Sequence, residues 1–241
     1  NDLGMLPLED MYSASVDYAQ NSVSFRTPRP EFGALPVAGK VRLYAGSFGT
    51  YLPSARLDFR LSDNVSLSVN AAGAISKGNF TYADGLERTN NDLKQLRGGL
   101  DLFGLTDGGD YHVKAYYSSA ERGTPGTISW PSDDRQADKN AFIQGYLHQV
   151  FSPLYTLHLS AKGSYDDIYY TSAWGDSQYG QTELQLNSAH DFQLTRWWKM
   201  SLAADVQWDG LASRLYDASR TTVFSALASS FNTDRLLANI A

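Results

Sequence analysis

The chain of 241 residues contains no cysteine. That absence excludes a disulfide scaffold, thiolate metal centres, iron–sulfur ligation and cysteine nucleophiles, and it leaves the compartment open. Charge is scarce as well: 20 Lys and Arg against 26 Asp and Glu give a net charge of −6, and charged residues make up 19% of the chain, below the roughly 25% of ordinary soluble domains. With no basic excess, nothing points to nucleic acid. The four histidines, His112, His148, His158 and His190, form no HExxH motif and no i, i+4 pair for zinc. Long apolar runs are missing too. The longest stretch without a charged residue, 140–161, has the 22 residues of a membrane helix, yet Asn140, Gln144, His148, Gln149, Pro153 and His158 interrupt it. No stretch shows the charged, apolar and small-residue phases of a secretory leader, which reads as a mature or truncated chain.

Rings are what the chain has in quantity, with 15 Tyr, 11 Phe and 5 Trp in a sequence whose mean hydropathy is −0.36. Their spacing is every second residue rather than helical. From Trp198 one face reads Trp198, Met200, Leu202, Ala204, Val206, Trp208, and between them stand Lys199, Ser201, Ala203, Asp205 and Gln207. The same split recurs from Tyr51, with Arg56, Asp58 and Arg60 on the wet side, and from Val65 and Leu157. Eleven strands are predicted, at 40–47, 50–61, 65–76, 94–104, 111–120, 140–151, 155–170, 182–194, 198–213, 221–231 and 235–241. Most exceed the roughly 5–6 residues of soluble strands and match the ~9–11 residues needed to cross a bilayer at a tilt.

The connections alternate in length. Tight ones are expected at 62–64, 107–110, 152–154, 195–197 and 232–234, and roomy ones at 77–93, 121–139, 171–181 and 214–220. Short turns on one rim and longer loops on the other describe an outer-membrane meander; only the connection 47–50 is short where a long loop is due. Ten steps from Trp198 to Trp208 span about 33 Å along a strand, or roughly 25 Å of height once tilted. These two tryptophans therefore read as girdle residues at the two membrane interfaces. The fold expected is all-β, a transmembrane antiparallel meander barrel; a soluble β-sandwich, acting as a ligand-binding module, is the alternative the alternation leaves open. Residues 1–39, with Pro7, Pro28, Pro30 and Pro36, form a separate element ahead of the barrel segment 40–241.

Chemistry-bearing motifs are few. Gly46-Ser47-Phe48-Gly49 and Asp107-Gly108-Gly109-Asp110 lack the lysine and helix of a phosphate cradle and read as turns. Asp133, Asp134 and Asp138, with Asp166 and Asp167, either solvate loops or supply oxygens to calcium. No serine, histidine and acid constellation emerges, so no enzyme, cofactor or resident metal is expected. Arg122, Trp130 and Arg135 in one predicted loop, and Tyr169, Tyr170, Trp174 and Tyr179 around the next, suit capture of a bulky polar ligand by stacking and charge-assisted hydrogen bonds. They serve equally as interface anchors or loop packing.

Four stretches carry a family likeness. Leu6-Pro7-Leu8-Glu9-Asp10-Met11, then Ser22-Val23-Ser24-Phe25-Arg26-Thr27-Pro28-Arg29-Pro30, then Tyr44-Ala45-Gly46-Ser47-Phe48-Gly49-Thr50-Tyr51 resemble the passage from plug to barrel in TonB-dependent outer-membrane receptors. Tyr117-Ser118-Ser119-Ala120-Glu121-Arg122-Gly123-Thr124-Pro125-Gly126 resembles the stretch at the head of an early extracellular loop in that family. The resemblance implies a barrel of about 22 strands closed around an N-terminal plug, placed in the bacterial outer membrane. It implies energy-coupled import of a scarce, bulky nutrient such as a siderophore or corrinoid. The partners implied are outer-membrane lipid, the inner-membrane TonB system acting through a plug segment, and the small-molecule nutrient. Residues 1–39 would then be the end of the plug with its linker, and 40–241 the first half of the barrel. A passive porin or structural barrel remains the alternative that periodicity alone permits.

Overall fold

In a computed structural model, residues 13–17, 22–27, 29–232 and 237–240 are described. Two short strands, β1 (Ser13–Asp17) and β2 (Ser22–Arg26), pair antiparallel with each other. The main sheet begins with β3 (Val37–Gly46), β4 (Thr50–Arg60) and β5 (Val65–Ser76). A small hairpin, β6 (Phe80–Thr81) and β7 (Glu87–Arg88), interrupts it. The sheet then continues through β8 (Leu93–Thr106), β9 (Gly109–Gly126), β10 (Pro131–Ser152), β11 (Tyr155–Ser172), β12 (Gly175–Thr195), β13 (Trp198–Ser213), β14 (Asp217–Asn232) and β15 (Leu237–Ile240). Each strand pairs with its sequence neighbour, which makes one eleven-stranded antiparallel meander with β3 and β15 at its two described edges.

Register aligns the apolar positions across strands. Leu57, Val69, Leu100, Ala115, Ile143, Gly163, Leu184 and Trp208 stand in a single cross-strand row. Because side chains alternate between faces, the residues one step along fall on the opposite side, where Asp58, Ser68, Asp101, Lys114 and Gln144 line up. Burial then decides between the two architectures the alternation allows. The apolar face is bare, with Leu43 81%, Ile143 58% and Val223 66% exposed, while polar-face residues Ser68 and Asp101 are fully buried. A soluble sandwich does the reverse and packs its apolar faces together. The sandwich alternative is thereby overturned: the fold is an antiparallel meander of the outer-membrane barrel type, greasy outside and wet inside.

The turns have identifiable causes. Between β3 and β4, Phe48 and Gly49 both take positive φ, 58° and 65°, in a three-residue loop closed by the N–H of Thr50 donating to the Ser47 carbonyl at 3.3 Å. A phenylalanine there is strained; its carbonyl accepts the backbone N–H groups of Lys77 at 3.1 Å and Gly78 at 3.2 Å, which fixes it. At the other rim, Ser62 caps its turn by accepting from the N–H of Val65 at 3.1 Å. A Cβ on Gly109 would lie 1.9 Å from the carbonyl oxygen of His148, so β10 approaches the β8–β9 turn as closely as only glycine permits.

Three roomy loops expected from sequence are corrected. Residues 121–139 are mostly strand, since β9 runs to Gly126 and β10 starts at Pro131; only 173–174 separate β11 from β12, and only 214–216 separate β13 from β14. In these extensions polar residues stand on both faces of the strands, so apolar alternation stops although the hydrogen-bond ladder continues. The connection 77–92, holding the β6–β7 hairpin and a 3-10 turn at Ala83–Gly85, is long as expected. The Leu6 to Met11 stretch lies outside the described residues.

Candidate functional site

The polar face of the sheet is a continuous wall of cross-strand pairs. On β4 and β5, Arg56 Nε lies 2.9 Å from Asp58 Oδ1 and its guanidinium donates to Ser68 Oγ at 3.1 Å. On β8 and β9, the carboxylate of Asp101, with no exposed side-chain surface, is 2.8 Å from His112 Nε2 and 3.2 Å from Lys114 Nζ. Asp138, 2% exposed, pairs with Arg122 at 2.9 Å and accepts from Gln136 Nε2 at 2.7 Å. Farther along stand Lys162 with Glu183 at 3.0 Å, Asn187 donating to Asp205 at 2.8 Å, and Lys199 with Asp191 at 2.9 Å. Period 2 puts these side chains on one side, and antiparallel register places opposite charges side by side. Each buried acid named here has a donor, as a charge removed from bulk water requires.

The segment 27–36 reaches this wall. Lys114 Nζ donates to Thr27 Oγ1 at 3.2 Å, while Arg60 grips the chain from β4. The Arg60 guanidinium donates to the Gly33 carbonyl at 3.1 Å and stacks 5.2 Å from the Phe32 ring centre. Its own N–H donates to the Pro36 carbonyl at 2.7 Å. Arg29 reaches the carbonyl of Asp63, in the β4–β5 turn, at 3.3 Å. The chain ahead of the sheet is therefore fastened to the polar side of β4 and β9.

The rim residues singled out from sequence do gather at one end of the sheet, but not in one constellation. Arg122, Tyr170 and Tyr179 belong to the polar face, as their register with Gln136, Ser177 and Ile168 shows. Arg135 and Tyr169 belong to the opposite face. Trp130 and Trp174 stand at hairpin tips, 80% and 95% exposed. Both arginines are engaged: Arg122 with Asp138, and Arg135 in a two-pronged pair with Asp92 at 3.0 and 2.8 Å. The hydrogen bonds from Arg135 hold the Asp92 carboxyl below the usual carboxylate range. Tyr170 donates to Asp134 Oδ2 at 2.6 Å, and Tyr169 donates to Asp176.

Trp198 and Trp208 both lie on the apolar face. Around Trp198, at the short-turn rim, rings collect: Phe231 at 5.5 Å and Trp197 at 6.4 Å, with Tyr155 and Phe192 stacked at 5.2 Å on neighbouring strands. Toward the other rim the same face carries Tyr51, Tyr117, Tyr165 and Trp208.

One pairing escaped the sequence reading. His148 and His158 face each other across β10 and β11, rings stacked at 4.8 Å, with Asp110 3.3 Å from His148 Nδ1. They sit five residues before and five after Pro153, so reading the turn as a mirror would have found them. Among the described residues no group of three or more His, Asp and Glu is arranged to hold a metal ion. Of the acids considered for calcium, Asp134 accepts from Tyr170, Asp138 from Gln136, Asp166 from Asn140 and Asp167 from Gln178.

No family model matches the sequence, and no curated protein matches it. Among solved structures, the chain is similar to the siderophore receptor PiuA from Acinetobacter baumannii, with a TM-score of 0.59 at 10% identity over 86% of this chain and 40% of that one. It is also similar to the copper transporter OprC, with a TM-score of 0.58 at 9% identity over 88% of this chain and 45% of that one. Both likenesses are likenesses of fold. The chain spans less than half the length of either structure.

Proposed function

We propose that this chain belongs to an outer-membrane, TonB-dependent receptor that imports a bulky, scarce nutrient such as a siderophore or corrinoid, with residues 1–39 as the end of its plug and 40–241 as the first part of its barrel. The observation that carries the reading is the inverted sheet: an exposed apolar wall backed by a polar wall in which Ser68 and Asp101 are buried, in the fold of a siderophore receptor and a copper transporter. The plug-to-barrel and Glu121-Arg122-Gly123-Thr124-Pro125-Gly126 likenesses support it from the sequence side. The fastening of 27–36 to Arg60 and Lys114 favours a filled barrel over an open porin, because an open pore leaves its wall to water. On this reading the rim side chains Arg122, Trp130, Arg135, Tyr169, Tyr170, Trp174 and Tyr179 flank the route by which ligand enters. Trp198 and Trp208 mark the two interfaces with lipid.

The test is uptake of ferric siderophores and corrinoids by cells carrying the intact gene, with and without the inner-membrane coupling protein. Uptake that requires both the gene and the coupling protein is expected. Uptake that persists without coupling would replace this reading with a passive channel.

A further inference from the structure

A concavity of about 390 Å³ opens on the apolar face, away from the polar wall and the rim residues. Its side walls are the rings of Tyr165 on β11 and Trp208 on β13. Between them Tyr165, Thr182, Gly210 and Ser219 form one cross-strand row, and Gly180, Ala212 and Asp217 form the next row toward the loop-side rim. The floor is low because two of its positions are glycine. A Cβ on Gly210 would stand 2.6 Å from the Trp208 ring, and one on Gly180 would stand 3.4 Å from the Tyr165 hydroxyl, so both rings lean in over bare backbone. Two strand spacings, about 10 Å, separate the walls.

We propose that this groove holds the sugar headgroup of a glycolipid. The inference rests on the reading of the apolar face as the lipid-facing one. The negative faces of two aromatic rings attract the weakly positive C–H edges of a pyranose. Thr182 and Ser219 offer hydroxyls, and the Asp217 carboxylate accepts from sugar hydroxyls at the groove's upper edge. No Lys or Arg lines the groove, so a phosphate headgroup has no counter-charge and meets Asp217 as a repulsive neighbour. Trp208 ends the apolar run that starts at Trp198, which sets the groove where acyl chain gives way to headgroup. The occupant is therefore a lipid with a sugar head rather than a free sugar, its chains lying along the Leu184, Val206 and Leu186 surface below.

Native mass spectrometry of the intact protein, purified in a detergent without a sugar head, tests this directly. The protein is offered a glucosyl diacylglycerol and a phosphatidylglycerol with the same acyl chains. One glycolipid retained per chain in preference to the phospholipid is expected. Ala212→Phe, which fills the groove, should lower retention by about tenfold or more, equivalent to ~1.4 kcal/mol. Asp217→Asn and Thr182→Val preserve the shape and should each lower it several-fold, which keeps the test decisive if the phenylalanine variant does not fold. Equal retention of both lipids, unchanged retention in the variants, or displacement by free glucose at equal concentration would overturn the proposal. Failure of the underlying reading looks different: the intact protein would then stay monomeric in water without detergent.

Discussion

Leu202 and Ala203 are adjacent, yet the structure sends them to opposite environments. Leu202 lies on the apolar face in register with His190 and Leu227, and Ala203 lies on the polar face between Ala189 and Ala226. Leu202 is four residues from Trp198 and six from Trp208. At about 3.3 Å per residue and a tilt near 40°, that is roughly 10 Å above Trp198 within the proposed belt of ~25 Å. Arginine at this depth costs about 2–4 kcal/mol when it faces lipid, a loss of roughly 30- to 700-fold in the folding equilibrium. Ala203→Arg places the same guanidinium on the wet wall, two residues from Asp205, and should shift stability by no more than about 0.5 kcal/mol. The assay is urea titration of the intact protein folded into phospholipid vesicles, read by tryptophan emission and by heat-dependent mobility on gels. If Ala203→Arg were the more damaging variant, or the two were equal, the assignment of faces would be wrong.

Three more outcomes follow from the same geometry. Asp101→Ala leaves Lys114 and His112 facing a buried gap and should cost about 3–5 kcal/mol, with a double-mutant cycle against Lys114→Met showing coupling in the same urea assay. Brominated lipids should quench Trp198 and Trp208 in single-tryptophan variants, while iodide in the aqueous phase should quench Trp130 and Trp174, which stand at the hairpin tips. The third concerns pH. Because the hydrogen bonds from Arg135 hold the Asp92 carboxyl below the usual carboxylate range, the tether between the 77–92 connection and β10 is at full strength above about pH 4. It should be lost as pH falls through the depressed folded-state value; protection of the amides of residues 89–92, relative to intrinsic exchange at each pH, that did not fall at low pH, or that fell equally in Asp92→Asn on the same acidification, would contradict this.

How much of this was legible beforehand varies along each strand. From Val65 to Ser76 and from Trp198 to Ser213 the predicted and observed limits coincide, because there one face meets an apolar environment and the other a polar one. The alternation predicts β10 over 140–151, but it begins at Pro131; its first residues, Ser132, Asp133, Asp134 and Arg135, carry no alternation, since polar residues stand on both faces there. The rim candidates show the same division. Their residue types placed them at one end of the sheet, but Arg122 and Arg135 lie an odd number of positions apart on paired strands, and register alone sends one inward and the other outward.

Alternation and turn residues specify the strand period, the two opposed faces, the turn positions around Ser62, Gly108 and Pro153, and the ten-residue spacing of Trp198 and Trp208 on one face. All of these are local, encoded in neighbours within one strand or turn. Only the tertiary structure decided that the apolar face is the bare one and that Asp101 meets both His112 and Lys114. It also decided that His148 stacks on His158, that Arg60 fastens the chain ahead of the sheet, and that Tyr165 and Trp208 lean over glycines to shape a groove. The physical reason is common to them all: each depends on register between strands and on what lies against a face. A chain's own alternation specifies that two faces differ, and only pairing and burial specify which residues share a face at contact distance and which face is turned to water.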